Sequence, residues 1–212
     1  MSDRYSPEIL AEKGQGRATI VICDEAGLVT AESLFDLLGQ ERRVLLLKLS
    51  AVAVAEWADT SRALLGQLKG RGIKQACFIS LGRASDAVLA ACLEEARAVR
   101  TLILYNASAR LEDHWLDRLA ARLESSLPMG LPFRTRVKGF DARPFLQRIR
   151  CPVLIGVAEG ASSVLTRQAA LLAAHIPTSW LLRLPDTDTA AGLCKLMQDF
   201  DQIPARCPQK NR

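Results

Sequence analysis

Side chains able to do acid–base or nucleophilic chemistry are unevenly supplied in this chain. His114 and His175 are its only imidazoles among 212 residues. Ser80 and Ser85 bracket a short turn, Ser80-Leu81-Gly82-Arg83-Ala84, where a hydroxyl could be presented as a nucleophile. A serine needs a neighbouring base to take its proton, and neither histidine is close to this turn in sequence. Five carboxylates, Asp24, Glu25, Glu159, Asp186 and Asp188, follow closely on apolar runs. Gathered at one end of a sheet they would suit a divalent cation, because hard cations take oxygen ligands, or a cationic ligand. Spread over polar loops they would simply be solvated, with Arg83 and Lys48 neutralising some of them. The six cysteines include no Cys-x-x-Cys pair, so zinc and redox chemistry have no support; neither a metal nor a cofactor is expected.

Alternating strands and helices must position these groups. Ala76–Ile79 is an apolar run of the length of a strand buried on both faces. After the turn at 80–84, Val88, Leu89, Ala91, Cys92 and Ala96 are spaced to form one apolar helix face. Further strands are predicted over residues 9–16, 18–23, 44–49, 101–105, 153–157 and 180–184. Thr30 is predicted to cap a helix carrying Leu34, Phe35 and Leu38 and closed by Gly39. Other helices carry Trp57, Leu64, Leu65 and Leu68; then Leu165, Ala169, Leu172 and Ala173, ending near His175; and finally Leu193, Leu196, Met197 and Phe200. Such alternation implies a mostly parallel, doubly wound sheet with helices on both faces. Ligands of these sheets bind beyond the carboxyl ends of the strands. The residues expected around that crevice are Asp24, Glu25, Ser50, Gly82, Arg83, Asn106, Glu159, Asp186 and Asp188.

The strand, turn and helix at 75–97 resemble the α/β-hydrolase family, as do the helix from Trp57 and the stretch Asp141–Pro185. The family carries Gly-x-Ser-x-Gly at the turn, with the central serine as nucleophile; here Ser80 and Ala84 take the glycine positions and Gly82 the centre. A central residue there is forced to positive φ, which glycine adopts at little cost. The family's His-Gly after the second strand is replaced by Asp24-Glu25, whose charges would oppose an oxyanion. The resemblance puts Ala161 at the acid position and Thr189 at the base position. The triad therefore reads Gly82, Ala161 and Thr189. It also implies a single domain over 1–212, with 109–140 as a reduced cap and 205–212 as a frayed tail. His114 falls on the cap helix, the one imidazole with a route over the crevice, while His175 lies at a helix end outside the sheet.

Composition bounds what remains. The apolar fraction is 49% and no apolar run reaches the ~20 residues of a membrane span. The first residues lack a signal-peptide layout, so a soluble, cytoplasmic protein without membrane contact is expected. The net charge of +5 is concentrated between Arg134 and Arg150; without a recognition motif, nucleic-acid binding is not expected. The sequence thus points to a catalytically inactive α/β-hydrolase-like protein serving as an interaction scaffold or accessory subunit, with a protein partner or a homodimer. The alternatives are a small-ligand sensor that uses the vestigial crevice and a hydrolase with nonstandard catalytic residues.

Overall fold

The computed structural model describes residues 5–107 and 143–201. The expected cap at 109–140, His114 and the tail at 205–212 lie outside the described residues. Seven strands form one sheet: β1 (Glu8–Lys13), β2 (Ala18–Cys23), β3 (Arg43–Lys48), β4 (Ala76–Leu81), β5 (Val99–Tyr105), β6 (Val153–Ala158) and β7 (Ser179–Leu184), in the order β1-β3-β2-β4-β5-β6-β7. β1 runs antiparallel to β3 and every other pairing is parallel. The helices are α1 (Leu28–Leu38), α2 (Ala51–Ala55), α3 (Trp57–Gly70), α4 (Ser85–Glu94), α5 (Ser163–His175) and α6 (Thr189–Asp201).

Side chains alternate between the two faces of a strand, and this alternation divides the core into two layers. Ile20, Ile22, Leu45, Leu47, Phe78, Leu102 and Leu104 point to one side, where α3, α4 and α5 bring Leu64, Leu68, Val88, Leu89, Ala169 and Leu172. Val21, Leu46, Ile79, Leu81, Ile103 and Leu154 point to the other, against Ala31, Leu34 and Leu38 of α1 and Leu193, Met197 and Phe200 of α6. β4 lies at the centre and is buried along its whole length. At the β7 edge Trp180, Leu181 and Leu182 remain exposed, with the Trp180 ring edge-on to Phe200 at 5.3 Å between centroids.

Two local expectations are corrected. α1 starts at Leu28, so Thr30 lies within its first turn and is not its cap. A 3-10 turn, Glu25–Gly27, precedes it and is capped by Asp24, because a carboxylate at that point can accept an otherwise unbonded amide. α4 is buried on all sides from Ser85 to Cys92 rather than along one face, since it is held between the sheet and its neighbours; Ala96 falls in a separate 3-10 turn. The segment before β6 is a 3-10 helix at Arg143–Arg148. No helix among the described residues is long and apolar enough to cross a membrane.

Candidate functional site

The carboxyl end of β4 turns sharply at Gly82 and passes through a 3-10 turn, Gly82–Ala84, into α4. Gly82 has φ +61, the left-handed conformation that L side chains avoid. A Cβ placed there would lie 3.6 Å from both carboxylate oxygens of Asp24, an ordinary contact, so the position opens towards Asp24. The two serines of the elbow face inward instead. Ser80 Oγ donates to Ser85 Oγ at 3.1 Å and both residues are fully buried. Each serine thereby meets the hydrogen-bonding requirement of a polar group away from water, and neither is presented to the crevice.

The strand ends around Gly82 are tied to one another by side chains that accept backbone hydrogen bonds. Gly27 N donates to Asp24 Oδ1 at 3.2 Å, and a Cβ on Gly27 would sit 3.0 Å from Leu81 Cβ, which brings this loop against the elbow. Asn106, at φ +50 after β5, accepts from Ala158 N at 3.1 Å through Oδ1. Asp186, after β7, accepts from Gly160 N at 3.0 Å through Oδ2. The first turn of α5 is fixed by Ser162 Oγ, which accepts from Leu165 N at 3.3 Å.

These ends enclose a cavity of about 650 Å³. Of the expected crevice residues, Asp24, Gly82, Arg83, Asn106 and Asp186 line it, together with Thr189. Glu25, Glu159 and Asp188 are not among the lining residues, which corrects their expected place. Glu25 reaches back along β3 to pair with Lys48; Glu159 and Asp188 are exposed. Ser50 is spent on α2, its Oγ accepting from Ala53 N at 3.1 Å. Ala161 is also outside the lining and packs against the core beneath the loop. His175 is exposed at the end of α5, with Nδ1 2.8 Å from the Leu171 carbonyl oxygen, to which it donates. Among the described residues, no three His, Cys, Asp or Glu side chains gather closely enough to hold a metal ion.

Two polar groups on the cavity wall were not foreseen. Asp86, one helical turn beyond Gly82, is 5% exposed and lines the cavity. Burial pushes its carboxyl up to about 7, only partly opposed by the Arg83 charge. Gln168 of α5 is 8% exposed, and its Oε1 has no hydrogen-bond partner among the described residues. Asp86 stands in the first turn of α4, directly after the elbow, and that position was the available signal. Gln168 had none, because its helix read as an apolar stripe.

No protein-family model and no curated protein matches the sequence. Solved structures do match. An esterase from Thermogutta terrifontis superposes with a TM-score of 0.71 at 15% identity, over 92% of this chain and 93% of that one. The enol-lactonase from Burkholderia xenovorans LB400 gives 0.68 at 18% identity, over 92% and 96%. An alpha/beta hydrolase from Sphaerobacter thermophilus DSM 20745 gives 0.66 at 12% identity, over 92% and 96%. The fold is that of the α/β-hydrolases. Identities this low carry the architecture and nothing about activity. Within the α/β-hydrolase fold, the strand–turn–helix of β4 and α4 is the element that presents Gly82 to the cavity.

Proposed function

We propose that this chain binds a small molecule in the crevice above Gly82 and does not hydrolyse it. The observation that carries this reading is the cavity itself: about 650 Å³, within the range of small-molecule sites, open above a residue that has no side chain. Supporting it, the positions assigned to nucleophile, acid and base read Gly82, Ala161 and Thr189. The Thr189 hydroxyl makes only long contacts, 3.4 and 3.5 Å, to the carbonyls of Pro185 and Asp186, and threonine is no base near neutral pH. Neither elbow serine reaches the cavity. The test is native mass spectrometry of the protein with a metabolite extract, comparing wild type with Ala26→Trp, which fills the cavity from its exposed rim. A bound species that the variant fails to retain is expected; retention of the same species by both would remove the crevice from consideration.

A second reading, a contact with a protein partner or a second copy, is favoured by the exposed Trp180, Leu181 and Leu182 on edge strand β7. An unpaired edge with apolar side chains is a surface that another chain can cover. Light scattering of wild type against Leu181→Lys tests it, with loss of mass in the variant as the expected result and an unchanged monomer as the contrary one.

A further inference from the structure

We infer that the crevice selects a small organic cation, a primary ammonium or amidinium carried on a short apolar body. The inference rests on the ligand-binding reading above. Among the described residues, three carboxylates line the cavity, Asp24, Asp86 and Asp186, against one guanidinium, that of Arg83, whose residue is exposed. Asp186 is exposed like Arg83 and Asp24 is half-buried, whereas Asp86 is nearly dry, so that once ionised its charge is the least screened by water.

An acceptor is also left open. Asp86 is only 5% exposed and lines the cavity. Gln168 Oε1, on the facing helix, is buried without a hydrogen-bond partner among the described residues. A buried acceptor left unpaired costs about 1–3 kcal/mol, and a ligand with several N–H donors removes that cost. The Asp24 carboxylate faces the space where a residue-82 side chain would project, 3.6 Å from its first atom. An ammonium group fits that space, and Ala26, Leu81, Val164 and Leu165 supply an apolar wall for the body behind it. Among the described lining residues, an anionic ligand would instead meet Asp24 and Asp86 with only Arg83 to offset them.

The same arrangement makes binding sensitive to pH. The charged or titratable groups that line the cavity with Asp86 are Asp24 and Arg83 from the strand ends, Tyr105 from β5 and Asp186 after β7; α5 contributes only neutral side chains. A cation favours ionised Asp86, which burial holds protonated up to about 7. Affinity therefore rises as pH increases through that value, with a proton released on binding.

The experiment is calorimetric titration of the full chain with phenethylamine, 2-phenylethanol and 3-phenylpropanoate, at pH 6 and pH 8. Each titration is repeated with Ala26→Trp, Asp86→Asn and Asp24→Asn, whose folding is checked by thermal melting. Charge-assisted hydrogen bonds to the ammonium predict that the amine binds at least about tenfold tighter than either analogue. Affinity for the amine rises several-fold from pH 6 to pH 8, and Asp86→Asn weakens it about tenfold and abolishes the pH effect. If the alcohol or the carboxylate binds as tightly and Ala26→Trp blocks it, the crevice reading stands and cation selection is overturned. If the amine binds but neither asparagine variant weakens it, cation selection by these carboxylates is again overturned. If none of the three probes binds, cation selection is overturned, and the ligand-binding reading is decided by the native mass spectrometry above.

Discussion

Position 82 shows a demanding backbone conformation met by a residue without a side chain. Its φ of +61 is a conformation that costs a residue with a Cβ about 1–2 kcal/mol, and the surrounding space is open. Gly82→Ser is therefore expected to fold, with stability reduced by about that amount in urea unfolding. It is not expected to give a burst with p-nitrophenyl acetate, since no imidazole lies among the described residues that line the cavity. A burst in this variant would mean that a competent base had been overlooked. Asp86 carries a prediction of opposite kind. Its carboxyl is raised from 3.8 to about 7, so the folded state holds the proton more tightly than the unfolded chain. Stability from this group is full below about pH 4 and is lost as pH rises towards 7, by up to roughly 4 kcal/mol for a shift of this size. Asp86→Asn should be more stable than wild type at pH 8, and the gap should close on acidification. A constant gap across pH 4–8 would contradict the protonation assigned here.

At the level of elements, β4 is the member on which the sheet depends. Phe78 at its middle is fully buried, and Phe78→Ala is expected to cost about 3–5 kcal/mol in urea unfolding. The turn after β1 offers a controlled comparison. Gly14 and Gly16 both have positive φ, at +80 and +95, yet a Cβ on Gly14 would run into the Arg42 carbonyl oxygen while one on Gly16 meets nothing within 4 Å. Gly16→Ala should lose only the conformational term of about 1–2 kcal/mol, and Gly14→Ala about 3 kcal/mol or more. Equal losses would show that the turn relaxes around the new methyl. Strands and helices were largely legible from the sequence because apolar runs and 3.6-residue spacing survive in it; Ala18–Cys23 and the Gly82 turn were placed from residues alone. What was not legible depends on residues distant in sequence. Thr30 has the chemistry of a cap, yet Asp24, six residues earlier, takes the amide of Gly27. Cys92 and Cys151 lie with sulfurs 3.6 Å apart in the core, a pairing across 59 residues that no local spacing announces.

On the scale of the whole molecule, the sheet order brings the ends of β2, β4, β5, β6 and β7 to one rim, and that rim holds the cavity. The sequence located this rim through Asp24, Gly82, Arg83, Asn106 and Asp186. Glu25, Glu159 and Asp188 lie outside the lining, because residues one to four beyond a strand can turn outward once a neighbour is anchored. Asp86 was hidden inside a helix read for its apolar face. The α/β-hydrolase architecture is thus joined to a crevice that is acidic, partly apolar and without an exposed hydroxyl at its elbow. The most direct measurement is the intact mass of the protein after incubation with a fluorophosphonate. An unmodified mass is expected; a stoichiometric adduct, on Ser80, Ser85 or any other residue, would contradict a crevice that binds without attacking.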